Sequence, residues 1–518
     1  MILKQLKSTN FFILCLIVVG FIIYGHTLWF SYSPLDDYEL FVKRVDWFRD
    51  ISNLPGLFTS SIDQSVSAPF YRPMLMMSFA MDSILGKGSL LSFHLTNLLI
   101  HISVSILVFL LFRIVTNSRK TGFFWGLLFL VHPVHVQAVT WIPGRNDTLL
   151  TLYALIAVIA LFRYCRSGSN GMLAVNIVSF ILAMYTKEQG VLLMFIFGVI
   201  IFNSKYREQI LPLSFIWFIS CFLFIIPRKL VMTGGFIFSI ASYYDYFTQV
   251  MMAFIISIGK LVIPLYQSVF PSVIETPLWP GLLVIIMIIL AYFSVGVRNK
   301  RIFTLGLFWF LVMSALPLLW GSLEDEHFEH RLYLSSIGFF LLISQLNIWS
   351  LLTKKYPRIL QMFLVVILIS FGAKTWIRSH TYRNEMSFAI SGVEESPLHA
   401  KAHYLLGNVY KSKKDWQQAV RSYDQALEIN PMNANVFNNR GDTFLQLKVF
   451  EIALEDFNSA LAINPDNLEV RNNRAVAYYF LQEYDLAWTD VQLVLANDGK
   501  VHPDFLLALE QKLSDQSR

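Results

Sequence analysis

The chain has 518 residues, 55% of them hydrophobic and only 15% charged, where a soluble domain carries about 25% charged residues, so most of it is built for lipid. Its 45 phenylalanines suit lipid-facing helices and interfacial aromatic belts, and the net charge of +6 is not a nucleic-acid signal, because many basic residues lie in short loops between apolar runs. Cys15, Cys165 and Cys221 all sit in or at the ends of apolar stretches, which predicts neither a disulfide framework nor a zinc site.

Lys4 and Lys7 precede a first apolar run that lacks a small-residue cleavage site and reads as a retained anchor. The sequence Ser33-Pro34-Leu35-Asp36-Asp37-Tyr38 follows at once. A carboxylate pair at a membrane boundary costs free energy unless it is solvated or paired, so Asp36 and Asp37 are candidate catalytic residues. Asp37 is the preferred base, because Asp36 is suited to capping a helix that starts near Tyr38.

Stretches near the ~20 apolar residues that cross a bilayer fall at about 9–30, 91–115, 121–139, 147–165, 171–186, 189–203, 210–227, 278–297, 302–320, 331–352 and 358–376. Basic residues occupy alternate connections: Lys4 and Lys7; Arg113, Arg119 and Lys120; Arg163 and Arg166; Lys205 and Arg207; Arg298, Lys300 and Arg301; Lys354, Lys355 and Arg358. The positive-inside rule then predicts about eleven crossings, with the acidic pair and the C-terminal region outside the cytoplasm. The stretch 247–265 is read as a re-entrant or interfacial helix within an extracytoplasmic segment, 228–277; a twelfth crossing with the tail inside is the alternative. The first outer loop spans 31–90, the membrane domain 1–380, and a linker 381–399.

Beyond it, a 34-residue period marks tetratricopeptide repeats over 400–514: three repeats and a capping helix. Gly407, Gly441 and Ala475 recur at the tight helix contact, Ala419, Ala453 and Ala487 in the second helices. Asn408, Asn438, Asn439, Arg440, Asn472, Asn473 and Arg474 cluster on the first helices, which usually face the groove, and Asn side chains can hydrogen-bond a peptide backbone whatever its sequence. Asn408, Asn439 and Asn473 are the candidate acceptor contacts; solvated helix positions are the bland alternative.

In the membrane half, Tyr71-Arg72-Pro73, Phe93-His94-Leu95-Thr96-Asn97, His132-Pro133-Val134-His135, Gly144-Arg145-Asn146-Asp147, Lys187-Glu188-Gln189-Gly190 and Glu329-His330-Arg331-Leu332-Tyr333-Leu334 all reach one face under this topology. Arg331, Lys187, Arg145 and His330 are candidate phosphate ligands. Arg72, His132, His135, Asp147, Glu188 and Glu329 are expected to line the same cavity. His132 and His135 lack helical i,i+4 spacing and a supporting carboxylate motif, so no metal site is predicted and a divalent ion has no support. No nucleotide-binding loop, dinucleotide fingerprint or nucleophile elbow occurs, which makes an activated lipid phosphate the natural reactant.

Together these motifs resemble the transmembrane, tetratricopeptide-containing O-mannosyltransferases, in the manner of shorter bacterial relatives. That resemblance implies an all-α, GT-C-type helical bundle followed by an α-solenoid. It implies transfer of a sugar, mannose in the named family, from a polyprenyl phosphate to a hydroxyl, with inversion, using an acidic residue of the first outer loop. The expected setting is a multi-pass protein of a bacterial inner membrane with repeats and site extracytoplasmic. The expected partners are the lipid-linked donor and a protein acceptor, with no cofactor. Two departures, only three clear repeats and Ser335-Ser336 where many relatives have proline, leave sugar and acceptor open. A same-fold transferase acting on a lipid or surface polysaccharide, and a non-catalytic envelope scaffold, are the rival readings.

Overall fold

The computed structural model describes residues 2–34, 37–59, 70–231, 243–319 and 329–516. The chain divides into two compact units, Met1–Ser387 and Phe388–Arg518. Among the described residues both are helical, and the one β-type pairing is an isolated bridge between Val297 and Leu346.

The first unit runs α1 (Ile2–Tyr24), α2 (Asp37–Leu40), α3 (Val45–Arg49), α4 (Pro73–Leu85), α5 (Leu90–Thr116), α6 (Arg119–Leu130), α7 (Val136–Thr140), α8 (Arg145–Ser167) and α9 (Asn170–Thr186). It continues with α10 (Leu193–Phe202), α11 (Ile210–Val231), α12 (Tyr243–Lys260), α13 (Trp279–Val295), α14 (Lys300–Leu319), α15 (Leu332–Ser344), α16 (Ile348–Lys355) and α17 (Pro357–Ser379). All eleven stretches expected to cross are helical, but not all are unbroken. Among the described residues, five helical segments are long and apolar enough to cross a membrane: Thr9–Trp29, Leu90–Thr116, Ile142–Ser167, Arg207–Val231 and Pro357–Tyr382. The bent pair Arg119–Leu130 and Pro133–Thr140 makes up to six.

Two of the breaks have visible causes. The expected span 331–352 stops at Ser344 and resumes at Ile348. Its exposed backbone is taken up by residues 296–298, with Arg298 N donating to Gln345 O (2.8 Å) and Asn347 N to Gly296 O (3.1 Å). The expected span 121–139 bends by 50° between α6 and α7, where Pro133 supplies no amide proton. The carbonyls freed there are met by side chains from three other places. His135 Nδ1 bonds Phe129 O at 2.8 Å, His101 Nε2 of α5 bonds Leu130 O at 3.0 Å, and Thr375 Oγ1 of α17 bonds Val131 O at 2.7 Å. Where no water can substitute, such pairing is what permits a broken helix.

A single apolar core runs from Leu16 through α5, α6, α8, α10 and α14 to Leu341. A smaller one gathers Phe41, Phe48, Leu75, Phe79 and Phe93 with Ile142. The stretch 247–265 is helical up to Lys260, and α12 packs on α13 and α14.

The stretch expected as a linker, 381–399, is largely helix α18 (Glu385–Glu395), with Phe388, Ala389 and Gly392 buried. In the second unit the helices are α19 (Ala400–Ser412), α20 (Trp416–Ile429), α21 (Ala434–Gln446), α22 (Phe450–Ile463), α23 (Leu468–Phe480), α24 (Tyr484–Ala496) and a last helix, α25 (Pro503–Gln516). The pairs α19–α20, α21–α22 and α23–α24 are the three repeats. A Cβ on Gly407 would lie 2.5 Å from the Tyr423 ring, and one on Gly441 2.8 Å from Phe457, so the aromatic layer of each repeat sits directly on its glycine. Ala419, Ala453 and Ala487 are fully buried at the matching contact.

Candidate active site

Four chain segments bring charge together in the membrane unit. Arg72 precedes α4, Asp147 lies in the first turn of α8, Lys187 and Glu188 join α9 to α10, and the 3₁₀ turn Glu329–Arg331 leads into α15. Lys187 Nζ grips both oxygens of Asp147, at 2.7 and 2.8 Å. Arg72 donates through Nε (3.2 Å) and Nη2 (3.0 Å) to Glu188 Oε2. His330 Nε2 lies 3.9 Å from Asp147 Oδ2, and its backbone amide donates to Gln137 Oε1 at 3.3 Å. The site is layered: the Arg72, Lys187 and Glu188 side chains keep 13%, 14% and 28% of their surface exposed, while Asp147 beneath them keeps 2%.

The electrostatics follow. Burial holds the His330 imidazole well below its usual range, and the charges of Lys187, Arg331 and Arg72 push it further down, so it is neutral near pH 7. Burial also lowers the Lys187 ammonium against the pull of Asp147, with Arg72 and Arg331 adding to the depression. Arg228, at the end of α11, acts on Glu188 as well. Among the described residues the cluster thus gathers Arg72, Lys187, Arg228 and Arg331 around Asp147 and Glu188. Cations gathered at a point partly open to solvent are suited to a phosphate.

Glu329 is engaged differently. It is 1% exposed and accepts from Lys260 Nζ (2.9 Å), Arg378 Nη2 (3.3 Å), Ser268 N (3.2 Å) and Gln267 Nε2 (3.4 Å). It therefore fastens the segment after α12 and the end of α17 beside His330 and Arg331. Lys260, Arg378 and Arg228 are the charged residues that sequence reasoning missed. Lys260 is the one charged residue in 247–265, and a lone lysine in an apolar stretch was a readable signal.

Three expected members of the cavity lie elsewhere. Arg145 is fully buried, ion-paired with Asp82 Oδ2 (2.6 Å), and donates to Asn97 Oδ1 (2.6 Å), Phe93 O (2.7 Å) and Ser78 Oγ (3.2 Å). Asn97 in turn donates to Val139, Trp141 and Ile142 carbonyls. Arg145 thus staples α4 and α5 to the start of α8 and is not placed to meet a ligand phosphate. His135 bonds Phe129 O and Ser336 Oγ (3.1 Å), and His132 bonds Leu261 O (3.1 Å) and the Val134 amide (3.2 Å). Both are fully buried and serve the bend between α6 and α7. Among the described residues no three His, Cys, Asp or Glu side chains converge as a metal set.

Asp37 opens α2 and is 1% exposed, with Oδ2 accepting from Ser33 N at 2.8 Å, which fixes the carboxylate's orientation. α2 packs on the turn Ile142–Gly144 that leads into Arg145 and Asp147. Asp36 lies outside the described residues.

In the repeat unit, Asn439 Nδ2 donates to Asn408 Oδ1 (2.9 Å) and Tyr404 OH (3.1 Å), and Asn473 Nδ2 to Asn438 Oδ1 (3.0 Å). The asparagines therefore link first helices of successive repeats. Asn408 and Asn439 also line an open recess of about 390 Å³, with Lys411, Trp416 and Asp442. Arg440 and Arg474 do not face that recess. Arg440 clamps Asp456 (2.6 and 2.9 Å) and Asp424 (2.6 Å), and Arg474 clamps Asp490 (2.7 and 2.8 Å) and Asn458 (2.8 Å).

Apolar helices in the first unit and a tetratricopeptide array in the second define a multi-pass membrane protein with repeats. Residues 73–230 match the family model described as dolichyl-phosphate-mannose-protein mannosyltransferase, and 407–448 the TPR repeat. More particularly, the chain is similar to the tetratricopeptide-containing protein O-mannosyl-transferases, as its motifs suggested. It is 27% identical over 391 residues to Protein O-mannosyl-transferase F38B6.6 of Caenorhabditis elegans, covering 71% of this chain and 55% of that protein. It is 25% identical over 471 residues to Protein O-mannosyl-transferase TMTC4 of Mus musculus, covering 75% and 62%. The chain thus spans somewhat over half the length of these relatives. Among solved structures, the first TPR of Spaghetti (RPAP3) bound to an HSP90 peptide is 24% identical, with a TM-score of 0.22, covering 23% of this chain and 94% of that one.

Proposed function

We propose that this chain is a membrane O-mannosyltransferase that moves mannose from a polyprenyl phosphate to a hydroxyl of a protein held by the repeats. The observation that carries the reading is the clustering of Arg72, Lys187 and Arg331 around Asp147, within and beside the segment similar to mannosyltransferases. A lipid phosphodiester carries one negative charge, and the phosphate monoester that leaves carries up to two. Arg331, Lys187 and Arg72 therefore meet more charge in the transition state than in the bound donor, which is the condition for accelerating the step. The acceptor oxygen bonds to C1 of the sugar from the face opposite the phosphate. The C1–O bond breaks with its electron pair going to phosphate, and the hydroxyl proton passes to the Asp37 carboxylate. The anomeric centre is inverted. Under the positive-inside reading, this happens on the extracytoplasmic side of a bacterial inner membrane.

Purified full-length protein, synthetic polyprenyl-phosphate mannose and a Ser/Thr-rich acceptor peptide test the proposal. Asp37→Asn keeps the shape and removes the base, so transfer should fall about 10²–10⁴-fold with donor binding retained. Near-normal turnover in both Asp36→Asn and Asp37→Asn would remove the acidic pair from the mechanism.

A further inference from the structure

The cation cluster adjoins the N-terminal end of α10. A second lipid-like environment lies at the opposite end of that helix, where the ten residues of α10 span about 15 Å. There a crevice of about 660 Å³ opens between α10, α11 and α14. Its walls are apolar, including Phe195, Val199, Phe202 and Ile210, and its polar rim carries Lys300 and Arg301. A Cβ built on Gly198 meets nothing within 4 Å, so the floor of the crevice on α10 is empty space. Arg301 Nη1 reaches Asn203 O at 3.5 Å, which holds the guanidinium at the crevice mouth across from α10. The segments bordering this end, 203–209 and 296–301 with the start of α14, contribute Lys205, Arg207, Arg298, Lys300 and Arg301 against a single carboxylate, Glu208.

We propose that this crevice is a binding site for an anionic glycerophospholipid of the surrounding bilayer, with the phosphate on Lys300 and Arg301 and an acyl chain lying over Gly198. The occupant follows from the two halves of the site. An apolar slot between membrane helices selects a hydrocarbon chain, and two cations at its rim select a charged headgroup over a zwitterionic one. The site is separate from that of the proposed sugar donor, so it stands whether or not the transfer reaction does.

Native mass spectrometry of the detergent-purified full chain, titrated with phosphatidylglycerol or phosphatidylcholine of matched chains, reads it directly. Phosphatidylglycerol should bind about tenfold or more tightly than phosphatidylcholine, since each juxtamembrane basic residue contributes on the order of 1 kcal/mol. Lys300→Gln with Arg301→Gln should erase that preference, and Lys300→Gln alone, which leaves the Arg301–Asn203 bond in place, should halve its logarithm. Gly198→Leu, whose Cβ enters open space, projects a side chain into the crevice and should lower retention of both lipids. Equal binding of the two lipids by the native chain overturns the proposal, as does a preference unchanged in Lys300→Gln. Displacement of phosphatidylglycerol by equimolar undecaprenyl phosphate reassigns the slot to the isoprenoid carrier and also overturns it. So does equal thermal stabilisation by inorganic phosphate alone, which would leave the hydrocarbon slot without a role.

Discussion

Arg145 and Lys187 sit in the same half of the molecule, each against an aspartate of a membrane-side helix, yet they do opposite things. Arg145 is sealed, its fork shared among one carboxylate, one carbonyl and two neutral side chains. Lys187 is partly exposed and stands with Arg72, Arg228 and Arg331 around Asp147 and Glu188. An enclosed charge whose partners are all internal organises helices, whereas one in a partly open cluster is within reach of a ligand. The difference lies in the partners, and residue type alone does not reveal it.

The comparison can be broken most decisively at Arg145. Arg145→Met leaves the buried Asp82 carboxylate with only the Thr96 hydroxyl, and loss of one partner of a buried pair costs about 3–5 kcal/mol. The variant should fail to survive detergent extraction as a monodisperse protein. If it extracts normally and loses only affinity for the lipid-linked sugar, Arg145 belongs with the ligand cations after all. At Arg331 the expectation reverses. Arg331→Ala should leave thermal unfolding unchanged and weaken donor binding about 10–100-fold, the worth of a charge-assisted contact; a lower Tm with unaltered donor affinity would make it structural.

A smaller effect is expected in the repeat unit, where Asn439→Ala opens the recess beside Asn408. Acceptor-peptide affinity should drop about tenfold, as for one of the few dominant contacts of an interface, with donor affinity intact. Fluorescence anisotropy showing equal peptide binding would assign the asparagines to inter-repeat bonding alone. Smallest of all is a pH term from His330. Its imidazole titrates well below 6.5 when folded and near 6.5 when unfolded, so stability is fully present above about 6.5 and falls as the pH drops below it. In unfolding scans between pH 7.5 and 5.5, His330→Gln should flatten part of that slope. An identical slope would mean that His330 takes up protons equally in both states.

The repeats were the most legible part of the sequence, because the 34-residue period fixes Gly407, Gly441 and the alanine layer without any tertiary knowledge. The apolar runs were legible as helices, but their continuity was not: the stop at Ser344 depends on pairing with residues 296–298, far away in sequence. The site was half legible. Arg72, Lys187, Glu188, Asp147 and His330 come together as their motifs implied, yet Arg145 does not. Its destination depended on Asp82, a single carboxylate in the apolar run Met74–Leu85, whose importance only the fold reveals. Arg228 and Arg378 lie at the outer ends of their expected spans, where the positive-inside rule gives them no orienting role, so their presence there was a signal left unread.

The bend between α6 and α7 bears on how the protein can move. A hinge needs bonds that are easily exchanged, but here three consecutive carbonyls are each held by a different side chain, from α5, from α17 and from the turn beyond the proline. Straightening or deepening the angle would break all three at once in a medium with no replacement donors. The corner is therefore a rigid elbow, and any opening that admits a lipid must be made by other segments. Spin labels on either side of His132 should report one unchanging distance with and without bound donor, and a shift on binding would show that the elbow works as a joint.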